Sequence, residues 1–470
     1  MRVDAKTRAR VGRQAVRGRR EATLAGGLGK ATMSDASSPW PGRLNLFQRA
    51  MLEWRGQHPY NAVHAARIER ALDPDALVSV IAAELREAGL TGLHLDAARG
   101  RYAWRGGPAQ VALERVDASD GWEGALAHAF ERHLNRAFPR EGALEPFRFF
   151  VVPDGSAFLL GLAYDHFIAG GDAIVALLEA ISARYLGVRE RASALRRYPP
   201  THWRLFARHP LAFLRGFARL PRLAASCRRT IRPRYRDIAD GYNAFMLFAL
   251  DEGDYHALRQ AAKRWGVTVN DALMALLLVA QDAAMPGRDL RKRRHELAVA
   301  SIVNLRAAHG DDAHDTFGQY LGSFRVSHPV PPGVALADVA ADVHRATNRV
   351  KHERLYLATL FAMAVDRQLG RLQSRKQRMG IYAKNYPVGA GVSSLDVDAL
   401  WRDAASKPAL YLRGVPTGPL SPLVAAVTTC GARMWIGLSF RPTAISREDA
   451  GALGRDLVNR IRQLPHEPIR

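Results

Sequence analysis

The stretch that most constrains the fold of this chain is an apolar hairpin that runs, without a spacer, into a helix. Phe147–Val152 and Ala157–Tyr164 are runs of aromatic and aliphatic residues joined by Pro153-Asp154-Gly155, which predicts two strands and a turn. The second run ends in Asp165-His166-Phe167-Ile168-Ala169-Gly170-Gly171. From Asp172 to Leu186, the residues Ile174, Val175, Leu177, Leu178, Ile181 and Tyr185 recur at helical spacing and mark one buried face. Strand, glycine turn and helix in that order point to an α/β chain, and they present a polar side chain at a rigid strand end.

The alternation continues on both sides. Upstream, Leu44–Trp54 has helical periodicity and Asn61–Arg70 reads as a strand. Asp73 as N-cap and Pro74 as first helical residue open a helix that runs on from Ala76 to Ala88. Short strands broken by Gly106-Gly107-Pro108 are expected over 100–116, followed by a helix over 121–137. Downstream, Tyr242–Leu250 predicts a strand, and Thr268-Val269-Asn270-Asp271 is a capping box that opens the helix 269–282. Strands over Leu297–Val303, Val388–Leu395, Leu423–Thr429 and Arg433–Phe440 are expected, with one or two long helices over Val334–Leu369 and a last one over Ser446–Gln463. Two mixed units result, 39–188 and 241–470, separated by the stretch 189–240.

Length and composition agree with this division. At 470 residues the chain has room for two or three compact units of ~150 residues. Apolar residues at 48% and charged residues at 24% suit a buried core, and exclude disordered, collagenous and coiled-coil chains. Two cysteines, Cys227 and Cys430, exclude a disulfide scaffold. Arg228 and Arg229 beside Cys227 are expected to lower its pKa. His309–Asp315 matches no zinc or calcium loop and reads as a polar turn, so no metal site is expected.

The net charge of +23 is concentrated in two places. Residues 1–30 hold nine Lys/Arg against Asp4 and Glu21, net +7, and residues 189–236 hold fourteen Arg against Glu190, net +13, leaving +3 for the rest. A nucleic-acid-binding module carries its cationic face on the folded body, so this distribution argues against nucleic acid as a partner. Segment 1–38 reads as a disordered basic tail, with Met33 as a candidate start. No run of ~18 apolar residues predicts a transmembrane helix, and no apolar stretch follows the basic N-terminus to make a secretory signal. The expected location is cytoplasmic, with a candidate peripheral contact at the inner membrane. That contact is suggested by Leu205–Leu220, where Phe206, Phe213 and Phe217 interleave with Arg208, Arg215 and Arg219. Such a pattern, in a linker expected to form one or two basic amphipathic helices, suits an anionic membrane surface over 200–236. It equally suits an acidic acyl carrier protein, or a solvated connector.

At Asp165–Gly171 the sequence resembles the acyl-CoA-dependent acyltransferase superfamily, which includes peptide condensation domains, wax ester synthases and alcohol acyltransferases. The family motif is His-His-x-x-x-Asp-Gly between a strand and a helix. Here the slot reads Asp165-His166-Phe167-Ile168-Ala169-Gly170-Gly171, keeping the second His and the final Gly. Phe47–Glu69, Val267–Leu273, Ile302-Val303-Asn304-Leu305-Arg306 with Phe317–Phe324, Gly391–Leu395 and Trp435–Phe440 resemble further family segments, in the right order over roughly 40–465. The resemblance implies two chloramphenicol-acetyltransferase-like α/β halves with a channel at their interface. It also implies His166 as general base for moving an acyl group from a coenzyme A or carrier-protein thioester to a hydroxyl. The thioester is then a co-substrate, with no bound cofactor, and a small or lipid molecule is the acceptor. Two other readings stay open: an amide-forming condensation enzyme, and a non-catalytic scaffold with a degenerate motif.

The supporting residues follow from the same resemblance. In the family the motif Asp pairs with an arginine and holds the loop. Gly170 stands in its place here, so Asp172 and Asp165 are the candidate substitutes and Arg306 the candidate partner. Asp165 is also expected to raise the imidazole pKa or to orient the ring. Backbone amides of Gly170 and Gly171, and the hydroxyls of Ser393 and Ser394, are candidate oxyanion donors. Asn304 and Arg306 are expected to be structural rather than catalytic.

Overall fold

The computed structural model describes residues 41–119, 121–188, 195, 196, 198, 201–370 and 375–465. The basic segment 1–38 expected to be disordered lies outside them, as do 189–194, 197, 199 and 200 of the Arg-rich stretch.

The apolar hairpin forms the middle of a sheet. Phe147–Asp154 and Ala157–Asp165 pair antiparallel, and every residue of the second strand is buried. The five-stranded sheet runs in the order Tyr411–Gly414, Asn61–Ile68, Ala157–Asp165, Phe147–Asp154, Leu113–Arg115. Helix Gly171–Tyr185 packs Ile174, Val175 and Leu178 into one core with Leu160, Leu162, Leu77 and Ile81. Helix Trp122–Asn135 covers the opposite face through Leu126 and Phe130 against Phe150 and Val152. Asp73 caps Pro74–Glu87 by accepting from the Ala76 amide. A small sheet of Gly42–Arg43, Arg101–Trp104, Leu93–Asp96 and Gly142–Leu144 lies beside this unit in sequence. Only its Arg101–Trp104 strand falls where the sequence predicts one.

The second unit is a six-stranded sheet in the order Leu321–His328, Leu297–Asn304, Ala390–Asp396, Leu423–Cys430, Arg433–Phe440, Ala244–Leu250. Helices Glu252–Arg264, Val269–Ala283, Leu336–His352 and Arg447–Arg462 contribute Leu258, Leu276, Val343 and Leu457 to one core with Val299, Val427 and Leu438. The capping box forms as expected, with Thr268 and Asp271 bonding reciprocally to each other's amides. Two helices, Leu336–His352 and Tyr356–Gly370, occupy the long helical stretch, and Arg354 between them has a φ of 52°.

Tyr411–Gly414 breaks the sequential division. In the chain it falls between two strands of the six-stranded sheet, yet it pairs antiparallel with Asn61–Ile68, with Arg413 opposite His64 and Gly414 opposite Val63. Residues 241–470 therefore do not complete a unit of their own, because one strand belongs to the other sheet. Gly437 allows the crossing strand to lie against Arg433–Phe440: a Cβ at 437 would sit 2.1 Å from the Arg413 carbonyl oxygen.

The Arg-rich stretch forms three short helices, Trp203–Arg208, Pro210–Ala218 and Leu220–Arg229, rather than one or two. Pro210 and Pro221 in the first turns explain the division, since proline ends a preceding helix and starts the next. Phe213 and Phe217 pack on Phe361 at centroid distances of 5.2 and 5.0 Å, while Trp203, Leu211 and Leu214 are 61–66% exposed. Burial pushes the Cys227 thiol up, against the pull of Arg325 and Arg294 and contrary to the expected lowering. Among the described residues no single helix is long and apolar enough to cross a membrane.

Substituting Gly437→Ala is expected to destabilise the protein by about 1–3 kcal/mol, because a backbone carbonyl must move. Gly56→Ala, with nothing within 4 Å of the added methyl and a helical position, should be neutral or stabilising. Thermal unfolding of both variants against wild type checks the contrast.

Candidate active site

His166 is the first residue past the strand Ala157–Asp165, and the loop that follows is tied down at nearly every carbonyl. Gln319 Nε2 donates to the carbonyls of His166 (2.9 Å) and Ala169 (3.0 Å), and Gln48 Nε2 donates to that of Phe167 (3.1 Å). The His166 amide donates to the Tyr60 carbonyl at 3.2 Å, and the Gly170 amide to that of Gly318 at 3.1 Å. Gln48 itself is held by the reciprocal cap at Asn45, whose Nδ2 donates to the Gln319 carbonyl. Loop 165–170 is thus clamped between the first helix and the segment that precedes Leu321–His328.

The two candidate aspartates take different partners. Asp172 Oδ2 accepts from Arg306 Nε at 2.8 Å and from Asn304 Nδ2 at 2.9 Å, while Asn304 Oδ1 accepts from the Arg306 amide. Arg306 also donates to the carbonyls of Thr316 and Asp312 and stacks on the Tyr320 ring, 4.1 Å from its centroid. Asp165 pairs with Arg55, not Arg306. Gly170 makes the Asp172 geometry possible: a Cβ there would lie 2.8 Å from Asp172 Oδ1 and 3.3 Å from Gln319 Oε1. His314, in the turn where no metal was expected, bonds Glu179 at 2.7 Å.

A cavity of about 400 Å³ opens between the two units, lined by His166, Gly171, Asp172, Asn304, Ser393 and Ser394 among others. Of the residues singled out in the sequence, Asp165, Gly170 and Arg306 stand behind this wall rather than in it. The His166 ring stacks on Tyr60 and meets Tyr164 edge-on, both at 5.7 Å between centroids. Its Nδ1 is enclosed by protein, which leaves Nε2 to face the cavity. Burial pushes the imidazole down to about 4; the Ala169 backbone acts the other way, and the Arg413 charge adds to the lowering. Asp165 does not raise it, contrary to expectation, since its charge is turned to Arg55. The Asp165 carboxyl is itself pushed up to about 6 by burial, against Arg55.

Among the four expected oxyanion donors, two are engaged elsewhere. The Gly170 amide bonds Gly318, and Ser394 Oγ donates to Asn270 Oδ1 at 3.0 Å. The Gly171 amide, at the start of its helix, and Ser393 remain at the cavity wall.

Sequence reasoning missed a polar cluster beside His166, in contact with the same Tyr164 ring. His64 is fully buried, with Nδ1 2.7 Å from the Tyr411 hydroxyl and Nε2 3.4 Å from that of Tyr164. Burial first, then Arg413 and His166, hold its pKa well below the usual histidine range. Arg413 stands across the register from it and lines the same cavity. The available signal was a polar or charged residue inside an apolar run, His64 within Asn61–Ile68 and Arg413 within Leu410–Val415, since such residues are rarely buried without a purpose. A second, mostly apolar cavity of about 280 Å³ lies next to the first. Leu220, Leu223, Phe324, Val350 and Met363 line it, and Leu420 belongs to both. Tyr382 in its wall accepts a hydrogen bond from Trp54 Nε1 in the wall of the other, at 3.2 Å.

No protein-family model matches this sequence, and no curated protein matches it. Solved structures do. The first condensation domain of the calcium-dependent antibiotic synthetase, in complex with a substrate analogue, is similar with a TM-score of 0.64 at 16% identity, over 91% of this chain and 98% of that one. The chain has the condensation-domain fold. Two α/β halves meet at the cavity, and strand Tyr411–Gly414 reaches across from one to the other. SgcC5 from Streptomyces globisporus shares the fold with a TM-score of 0.59 at 16% identity, over 91% of this chain and 100% of its own. A mutant starter condensation domain of rhizomide synthetase RzmA, in complex with C8-CoA and Leu-SNAC, gives 0.60 at 15% identity, over 90% and 94%.

Two predictions follow from these contacts. Arg306→Met leaves the buried Asp172 carboxylate unpaired and should cost about 3–5 kcal/mol, with most of the loss relieved in Asp172→Asn/Arg306→Met. Urea unfolding of the four proteins measures the coupling. His166 binds its proton at a higher pH unfolded (6.5) than folded (about 4), so it favours the folded state fully above that window. Wild type should therefore lose more stability than His166→Gln as the pH falls from about 6.5 to about 4.

Proposed function

We propose that the protein transfers an acyl group from a thioester, of coenzyme A or of a carrier protein, to the hydroxyl of a small or lipid acceptor, with His166 as general base. The observation that carries this reading is the His166 imidazole, clamped by its loop and facing a cavity that both halves line. The condensation-domain fold supports it, since solved structures with that fold hold C8-CoA and Leu-SNAC, or a substrate analogue.

The chemistry needs few parts. The acceptor hydroxyl oxygen attacks the thioester carbonyl while His166 Nε2 takes the hydroxyl proton. The tetrahedral oxyanion is met by the Gly171 amide and the Ser393 hydroxyl. Collapse breaks the carbon–sulfur bond, and the thiolate leaves with the proton returned from His166. Products are an ester and a free thiol, and no nucleophilic serine or cysteine is required. A depressed pKa keeps the imidazole neutral, and so able to accept a proton, throughout the physiological range.

The adjoining apolar cavity supports a hydrophobic acyl chain or acceptor. Exposed Trp203, Leu211 and Leu214 among Arg204, Arg208 and Arg215 support delivery from an anionic membrane surface. An amide-forming reaction is the second reading, favoured by neighbours that are themselves named condensation domains.

Thiol release from a panel of acyl-CoAs, offered alcohols and amines separately, tests the proposal. His166→Ala should lower turnover by about 100-fold or more, and wild-type turnover by the variant would overturn the assignment. The wild-type rate should stay level from about pH 8 to about pH 5 and fall only as the pH nears the pKa of about 4, rather than bending at the usual histidine value.

A further inference from the structure

Three arginines are buried around the cavity, and one of them lacks a carboxylate. Arg55 has Asp165 and Arg306 has Asp172. Arg413 is 3% exposed, and all its acceptors are neutral: Nε donates to Thr428 Oγ1 (3.0 Å), and Nη2 to the carbonyls of Ser393 (2.6 Å) and Val427 (2.8 Å). Nη1 makes one long contact, 3.4 Å, to Ser393 Oγ. Among the described residues Arg413 has no ion pair with a carboxylate. A guanidinium has five N–H donors, so Nη1 keeps one unused and another weakly used.

Nη1 is also the end that reaches the cavity. A Cβ built on Gly171 would lie 3.4 Å from Arg413 Nη1 and 3.4 Å from His64 Cε1, which puts the cation beside the start of helix Gly171–Tyr185. The cavity wall offers no carboxylate to neutralise it. Asp172 is engaged by Arg306 and Asn304, and Asp396 accepts from the Asp398 and Ala399 amides. A charge held out of water without a counter-charge costs several kcal/mol, and an anion arriving from outside offsets that cost. A transient oxyanion exists only at the top of the barrier, whereas a resting cation favours an anion that is present throughout binding.

We propose that Arg413 Nη1 binds the carboxylate of a substrate, so that the acceptor carries an acid group together with its nucleophile. That the acid is the acceptor rests on the acyl-transfer reading; that the cavity binds a carboxylate does not.

Ligand-observed NMR titrations decide it, with 3-hydroxybutyrate, 3-hydroxydecanoate and serine, each beside its methyl ester. At least one acid should bind wild type and His166→Ala about tenfold more tightly than its ester. Arg413→Gln should abolish that difference, with Arg413→Lys retaining part of it. Every acid binding no more tightly than its ester to wild type overturns the site, and this comparison stands even where Arg413→Gln fails to fold. So does an Arg413→Gln variant that loses turnover equally with acids and esters, since that is the signature of an oxyanion donor. Preferred acid binding without thiol release from any acyl-CoA or acylated carrier protein would keep the carboxylate site and reject acyl transfer. Thiol release with neutral alcohols, and no preference for acids, would do the reverse.

Discussion

The ion pair between Asp172 and Arg306 joins two parts of the chain 134 residues apart, and the candidate site depends on it. Asp172 lies in the first turn of helix Gly171–Tyr185, where the helix dipole favours a negative charge. Arg306 lies just past the strand Leu297–Asn304, where its other donors reach carbonyls and its plane rests on Tyr320. A buried pair of this kind contributes little net stability compared with apolar packing, but leaves few alternative arrangements for the groups around it. The groups around it are the loop of His166 and the segment Thr316–Gln319 that holds that loop. That one ion pair therefore sets the position of an imidazole with which it has no direct contact.

Around this anchor the polar groups divide by environment. Two arginines are neutralised by carboxylates, and the carboxylates are thereby turned away from the histidines. His64 and His166 are both held neutral, chiefly by burial and further by the Arg413 charge. Tyr60 and Tyr164, kept as phenols by burial, surround the His166 ring with faces and edges rather than with charge. The cavity thus places a neutral imidazole near a guanidinium that has no carboxylate partner among the described residues.

Much of this was legible in the residues. The strands at 147–165, the cap at Asp73 and the capping box at Thr268 follow from local chemistry that tertiary packing does not alter. His166 was singled out by the resemblance of Asp165–Gly171 to the family motif, at a glycine turn between an apolar strand and an apolar helix. The carboxylate that pairs with Arg306 could be narrowed to two candidates, Asp165 and Asp172, but not decided, because the choice depends on which arginine arrives from elsewhere in the chain. Short strands such as Leu93–Asp96 and Gly142–Leu144 leave no periodic trace, being three or four residues long. The crossing of Tyr411–Gly414 was out of reach for a different reason: an apolar run does not reveal which sheet it will join. Arg413 and the pairing partner of His64 were missed with it.

That crossing has a consequence for how the protein comes off the ribosome. Strand Asn61–Ile68 is apolar and buried along most of its length, and one of its edges pairs only with Tyr411–Gly414. Until translation passes that later segment, the nascent first sheet carries an open edge able to pair with a neighbouring chain. Synthesis of the early half alone would leave that edge permanently bare, so a fragment ending in the Arg-rich stretch should aggregate or need a chaperone where the whole chain does not.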